Sequence, residues 1–377
     1  MSSSTSAQLF QPINVGPVSL KHRVVLAPMT RFKTTPKLVP FLPLVKDFYT
    51  QRASTPGTLV ITESTLIAAR AAGFPHMPGI FTQDQIDAWK EVVDSVHAQG
   101  SFIFMQLVAL GRAAMPDVLR AEDPTLPLVS ASDIPVDPNA TEKPRPLTHD
   151  EIQEYIGLFA QAAKTAVEIG FDGVEVHACN GCLVEQFIQD VSNIRTDKYG
   201  GSVENRANFP LEVVKAIADA IGESRTAIRF SPWSPFLGMG MKDPLPTYTH
   251  LVSELKRLNP SLAYLHLIEP RINSDTAVDV SASNAAQSNE PICSIWGPNK
   301  PLIRAGGFSR DSAIELTSKS ANSNTLVAFG RHFIANPDLP IRLEKNIPLH
   351  PYERSTFYLA GVDEPRGYTD QPFATRA

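Results

Sequence analysis

His177 and Asn180 stand three residues apart at the end of an apolar segment, Gly173–Ala178. Both carry hydrogen-bond donors, and the spacing lets both project from a strand end into one pocket. Two donors aimed at one oxygen polarise a carbonyl and stabilise negative charge developing on it. The same pair also reads as a core histidine beside a capping asparagine. Two further segments end in Ala305-Gly306-Gly307 and in Gly330-Arg331. Glycine lets backbone N–H groups approach a phosphate closely, and an arginine adds a charge-assisted contact. Either feature alone is an ordinary turn or a solvated cation; at the ends of neighbouring strands they point together to a phosphate. Cys179 and Cys182 form a CxxC. At a helix start such a pair can be a redox dithiol. No thioredoxin-like sequence surrounds it, however, and it overlaps the His-x-x-Asn element. No second or third His, Cys or Glu ligand stands at metal spacing, which argues against zinc.

The elements that must position these groups are eight short runs rich in apolar and β-branched residues. They are Val24–Met29, Thr58–Glu63, Ser101–Leu107, Gly173–Ala178, Thr226–Ser231, Ala263–Ile268, Pro301–Gly306 and Thr325–Gly330. Most are continuously apolar, as parallel strands covered on both faces should be. Helical patterns fall between them at Gln85–Ala98, Asp150–Glu168, Ala207–Ile221, Tyr248–Leu258 and Arg310–Ser318. In the second of these Thr148 and Glu151 form a capping box, and Ile152, Tyr155, Ile156, Phe159, Ala163, Ala166 and Val167 form one apolar stripe. Strand and helix alternating about eight times predict a single (β/α)8 (TIM) barrel spanning the chain. An open doubly wound sheet is the alternative, but no GxGxxG follows the first strand. Barrel chemistry gathers at the C-terminal strand ends. Besides the residues above, those ends carry Pro28-Met29-Thr30, Thr62-Glu63-Ser64, Gln106 and Arg229. A long proline-rich stretch, Arg112 to Thr148, follows the third strand at the same end, as a surface excursion or as a cap over the pocket.

The 377 residues, 43% of them hydrophobic and 19% charged, suffice for a large core. A formal charge of −5 and a pI near 6.0 leave no electrostatic footprint for nucleic acid or an anionic membrane. No apolar stretch reaches membrane-spanning length. The stretch Met1 to Ala7 lacks a basic region and an apolar core, so no secretory signal is expected. Three cysteines do not make a disulfide framework. These features together predict a soluble cytoplasmic protein whose partner is a small molecule, with its oligomeric state left open.

Read in order, the strand ends resemble the old yellow enzyme family along nearly the whole chain. The similarity runs through Leu9-Phe10-Gln11-Pro12-Ile13, Arg23 to Arg31, Thr62-Glu63, Pro78-Gly79-Ile80, Gln106-Leu107 and Gly111-Arg112. It continues through His177 to Asn180, Asn193 to Ser202, Gly330 to Leu339, and Tyr352 to Tyr358. The resemblance implies non-covalent FMN, reduced by NADPH, that delivers hydride from N5 to the β-carbon of an activated alkene. It implies that Thr30 hydrogen-bonds the flavin C4 oxygen, that Gln106 meets the pyrimidine edge and that Arg229 lies near N1. The backbones of Pro28, Met29 and Ser64 would line the ring, with Gly306, Gly307, Gly330 and Arg331 on the phosphate. His177 and Asn180 would grip the substrate carbonyl, with Tyr358 bordering the pocket.

Three departures matter. The family's usual tyrosine proton donor, two residues after the asparagine, is Cys182; its Trp-His after Gln-Leu is Val108-Ala109; its glycine after Thr-Glu is Ser64. Losing the tryptophan and the tyrosine is expected to enlarge the pocket beside Val108 and Cys182 for a bulky substrate. Such changes resemble specialised fungal members of natural-product pathways, some of which isomerise an alkene instead of reducing it. A thiol is intrinsically the stronger acid, by about 1.5 pKa units, but it is much shorter than a tyrosine. Cys182 therefore reads either as the proton donor or as a space-maker. The leading expectation is an NADPH-dependent, FMN-containing ene-reductase acting on an α,β-unsaturated carbonyl. A non-redox double-bond isomerase, a flavin-binding scaffold and a Cys179/Cys182 dithiol protein are the alternatives.

Overall fold

The computed structural model describes residues 7–270, 272–273, 276–277 and 287–374. Residues 1–6, part of the stretch read as lacking a secretory signal, lie outside them. Eight principal strands run parallel: β1 (Val24–Leu26), β2 (Leu59–Ile61), β3 (Phe102–Val108), β4 (Gly173–Ala178), β5 (Thr226–Phe230), β6 (Tyr264–Ile268), β7 (Leu302–Ala305) and β8 (Thr325–Phe329). Their spatial order follows the chain, β8 pairs with β1, and every neighbouring pair is parallel, so the sheet closes on itself. All eight predicted strands are present, mostly shorter at their C-terminal ends. In β1 the ladder stops before Pro28, which has no N–H to donate. In β2 the chain leaves the ladder at Thr62–Ser64 and rejoins it as Thr65–Leu66, paired to Leu107 and Val108. That break turns the Ser64 side chain toward the site.

Each face of the barrel wall is filled differently. Outside, α1 (Leu44–Arg52), α2 (Gln83–Ala98), α3 (His149–Glu168), α4 (Val203–Ile221) and α5 (Leu245–Leu258) lay their apolar stripes on the strands. The capping box at Thr148 and Glu151 is formed, and a second one at Thr82 and Gln85 starts α2 two residues before the predicted boundary. In α3 Ala162 is buried where Val167 was expected, because the 3.6-residue period drifts across the stripe. Helix α4 begins at Val203, not Ala207: Ser202 caps it by accepting from the Asn205 N–H, and Pro210 is tolerated inside it. The barrel interior is closed at its N-terminal end by a hairpin, Ile13–Val15 with Val18–Leu20, turning at Gly16 with φ +52°. Its inward side chains pack against Phe104, Tyr264, Ile303 and Leu326. With that end plugged, the cavity can open only at the opposite one.

The proline-rich stretch folds as a short helix, Pro116–Glu122, and a two-residue parallel pair, Val129–Ser130 with Arg145–Pro146. None of residues 112–148 lines the cavity. Instead the stretch braces the roof from behind: buried Arg112 donates to the carbonyls of Ile134, Leu237 and Gly238. The roof itself comes from the loops after β2 and β5 and from the C-terminal segment.

Three buried cations hold that segment in place. Arg31 donates to the carbonyls of Phe357 and Gly367, Arg52 to those of Ile334 and Tyr368, and Lys33 to those of Val362 and Glu364. Tyr368 stacks on Phe48 at 4.3 Å, and the Arg52 guanidinium lies over the same Phe48 ring at 3.8 Å. The Arg52 contacts to Ile334 and Tyr368 are buried, so losing that cation leaves buried acceptors unpaired, at about 1–3 kcal/mol. Arg52→Met is expected to lower stability by roughly that amount. Limited proteolysis should then open residues 350–374 before the barrel; cleavage spread evenly over the chain would show that Arg52 does not anchor this segment.

Candidate active site

A cavity of about 510 Å³ opens at the C-terminal end of the barrel. Pro28, Met29, Thr30, Ser64, Gln106, His177, Asn180, Cys182, Arg229, Gly306, Gly307, Gly330, Arg331 and Tyr358 all line it. Residues scattered over 330 positions of sequence meet there because every strand ends on the same face.

One corner gathers glycines and an arginine, the features read in the sequence as an anion site. Gly306 and Gly307 have φ +133° and +62°, a region side chains rarely adopt. At Gly330 an added Cβ would stand 2.6 Å from the Met29 sulfur, so a larger residue there would displace the Met29 side chain at the first strand end. Arg331 follows, its guanidinium carbon 5.5 Å from the centre of the Tyr352 ring. His332 borders the cavity beside it, and burial, then the Arg331 charge, holds its imidazole below its ordinary pKa.

The opposite wall is the His177–Cys182 turn. His177 is buried, and burial, reinforced by the Arg229 charge, lowers its pKa to about 3, so the ring is neutral. Its Nδ1 has no protein partner, and neither has Nε of Arg229. Asn180 adopts the left-handed conformation at φ +53°, which asparagine tolerates better than most residues. A buried network keeps it there. The Asn180 N–H donates to Ser231 Oγ at 2.9 Å, Ser231 donates to Glu185 at 3.0 Å, and the Gly181 N–H donates to the other Glu185 oxygen at 2.7 Å. Tyr248 and Gln189 also donate to that carboxylate, whose pKa burial nevertheless raises to about 7.

The floor is polar. Ser64 Oγ donates to Gln106 Oε1 and Gln106 Nε2 donates to Glu175, both at 2.6 Å, so the amide orientation is fixed from both sides. The serine that replaces the family's glycine thus occupies the Gln106 oxygen and leaves its second N–H for a ligand.

Two sequence expectations are revised. Val108 does not line the cavity; it is buried in an apolar cluster whose members Met77, Leu110 and Cys182 form the wall in front of it. The space left by the family's tryptophan is therefore taken up in part by those side chains. The acidity expected of a free thiol at 182 is also lost, because burial, then the nearby Glu185, pushes the thiol well above its ordinary range. Cys179 is raised likewise by burial and does not line the cavity, the opposite of the depressed thiols a redox dithiol needs. Cys179, Cys182 and Cys293 are all free thiols. Among the described residues no group of three His, Cys, Asp or Glu could hold a metal ion, and no helix is long and apolar enough to cross a membrane.

Sequence reasoning missed the apolar lining: Phe32, Phe74, Met77, Leu110, Phe236 and Leu237, with Tyr352 near the anion corner. These sit in loops between elements, where no periodicity marks a residue as facing a pocket. Their only signal was position after a barrel strand.

The comparisons agree with this geometry. The model of the NADH:flavin oxidoreductase / NADH oxidase family matches residues 8–350, and the chain belongs to that family. Within it, the chain is an old yellow enzyme-type flavin-dependent oxidoreductase. It is 48% identical over 368 residues to the chanoclavine-I aldehyde reductase of Penicillium roqueforti, covering 97% of this chain and 96% of that protein. An Aspergillus flavus protein named an NADP-dependent oxidoreductase is 46% identical over 375 residues, covering 98% and 97%. A protein of Epichloe festucae var. lolii named "Probable inactive reductase" is 46% identical over 374 residues, covering 98% and 96%. The crystal structure of old yellow enzyme from Pichia sp. superposes with a TM-score of 0.88 at 36% identity, covering 98% of this chain and 95% of that one.

The family's cofactor is FMN, and the cavity fits it: glycines and an arginine at one corner, orphaned buried donors at the other, and a primed amide between. Arg331→Ala is expected to weaken FMN binding roughly ten- to hundred-fold, the worth of a charge-assisted hydrogen bond of about 1.5–3 kcal/mol. Equilibrium dialysis or fluorescence quenching of FMN measures it; an unchanged Kd would move the phosphate elsewhere.

Proposed function

We propose that this protein uses NADPH and FMN to reduce the activated C=C bond of a bulky α,β-unsaturated carbonyl compound, an intermediate of fungal secondary metabolism. The observation that carries the reading is the pair His177 and Asn180, both on the cavity wall, with the Asn180 turn held by a buried network and His177 Nδ1 left without a protein partner. The NADP-dependent relative supports the choice of reductant, and the aldehyde reductase supports a carbonyl-bearing substrate.

Bound FMN supplies hydride transfer at N5. Thr30 and Gln106 would hold the ring edge, Arg229 would set positive charge beside it, and the backbones of Pro28, Met29 and Ser64 would line the ring. Gly306, Gly307, Gly330 and Arg331 hold the phosphate. His177 and Asn180 take the substrate oxygen. A neutral imidazole donates one hydrogen bond there without adding a charge, and the charge that accumulates on the oxygen is stabilised by two donors already in place. Phe32, Phe74, Leu237 and Tyr358 offer an apolar surface to the rest of the substrate.

The α-carbon still needs a proton. Cys182 is short, and its raised pKa makes it a reluctant donor, so we assign it to making space, with the proton arriving from solvent. This same observation favours the second reading, a double-bond isomerase: where the α-carbon is not protonated, loss of the same hydride would regenerate the C=C bond in a new geometry with no NADPH consumed.

Replacing His177 or Asn180 with Ala is expected to slow the substrate-dependent step about 10²–10³-fold while flavin reduction by NADPH changes far less. Phenols, which mimic the enolate oxygen, should give a long-wavelength absorbance band with the wild type and not with these variants. Wild-type reoxidation by an enone in both variants would remove the proposed roles. Cys182→Tyr should accelerate saturation of cyclohexenone and exclude bulky substrates, and Cys182→Ala should change little. A large loss of rate in Cys182→Ala would make the thiol the acid after all.

A further inference from the structure

Below the cavity lies a second layer of ionisable groups that line no part of it. Glu175 and His266 are both fully buried. The strand register stacks the layer: Gln106 stands opposite Glu175, and Arg229 opposite both His177 and His266. Glu175 Oε1 accepts from Gln106 Nε2 at 2.6 Å, and Oε2 accepts from His266 Nδ1 at 2.8 Å. With Nδ1 as donor, His266 presents Nε2 to the barrel interior, where it has no partner. A proton there would add an N–H with no acceptor, and burial indeed lowers its pKa. For Glu175, burial works against the charged form, but His266 and Arg229 outweigh it and hold the carboxyl below its ordinary range. Together with His177 and Arg229, which reach the cavity above them, Glu175 and His266 make up one carboxylate, one guanidinium and two neutral imidazoles.

This arrangement bears on the cofactor from beneath. Arg229 reaches the cavity; Glu175 does not. In a water-poor interior, a charge a few ångströms further away still counts strongly. We propose that Glu175 sets the redox potential of the bound flavin, by partly neutralising Arg229 and by fixing the Gln106 amide so that its free N–H faces the ring. Glu175 touches neither cofactor nor substrate, so it is a positioning residue. The inference rests on the flavin reading above. Reduction adds negative charge beside Arg229, and the carboxylate below opposes that change; removing its charge favours the reduced form.

Glu175→Gln tests this directly, since glutamine keeps the size and can still accept from Gln106 and pair with His266. The full chain is loaded with FMN and its midpoint potential is measured anaerobically against a reference dye. At least a tenfold shift toward the reduced form is expected, about 30 mV upward for a two-electron couple. A purely structural role for Glu175 would leave the potential in place, and an unmoved potential with FMN bound overturns the inference. Glu175→Asp, which keeps the charge but lengthens one contact, should bind FMN more weakly with its potential within threefold of wild type, about 15 mV. If Glu175→Gln does not accumulate as holoprotein, Glu175→Asp decides alone: a tenfold displacement in that variant overturns the inference. Failure of the wild type itself to bind FMN sinks the flavin reading instead, and the two failures are thereby distinguished.

Discussion

Closure of the parallel ladder is the constraint from which the site follows. Pairing β8 to β1 leaves no sheet edge, and parallel strands in a closed ring must all end on one face. Side chains alternate in and out, so each strand offers the interior one residue in two. The N-terminal half of that interior is apolar and is stoppered by the hairpin at Ile13–Leu20. Above it the inward positions switch to Gln106, Glu175, His177, Arg229 and His266. That switch from hydrocarbon to polar groups, made within the length of a strand, is what turns a packed core into a site.

Polar groups at this depth are costly unless paired. Most are: Gln106 on two sides, Glu175 on two, Glu185 on four. Some exceptions are informative. Besides His266 Nε2 beneath the cavity, His177 Nδ1 and Arg229 Nε are buried without partners, in residues that line the same cavity. An orphaned buried polar group costs about 1–3 kcal/mol, a cost that a ligand bringing acceptors there would lift. The rigidity of the surroundings serves the same end. Asn180 is held in a left-handed turn by Ser231 and Glu185, and Arg112 fixes the roof at Leu237. The donors are therefore set in place before any substrate arrives, which is the condition for stabilising charge without reorganisation.

Much of this was legible in the residues. The apolar runs located all eight strands, and the capping box at Thr148 and Glu151 located one helix start, because both follow from local periodicity and local hydrogen bonding. Strand-end polarity located the anion corner and the His177–Asn180 wall for the same reason: topology gathers those positions whatever the loops do. What was not legible depended on packing. Val108 stood at the right place in the chain but sits behind Met77 and Leu110, which reach the cavity from loops with no period. The proline-rich stretch gave no sign that it braces the roof through one arginine. Nor could composition reveal that burial at Cys182 would raise its thiol above the ordinary range.

The central claim is net reduction of an alkene through the flavin. Anaerobic stopped-flow tests it most directly: the FMN-loaded protein is first mixed with NADPH, then with an α,β-unsaturated aldehyde or ketone, and products are counted. The account predicts that NADPH bleaches the flavin, that the carbonyl compound restores its colour, and that one saturated product forms per NADPH consumed. An isomerised alkene with no NADPH consumed, or a flavin that stays reduced in the presence of the carbonyl compound, would contradict it.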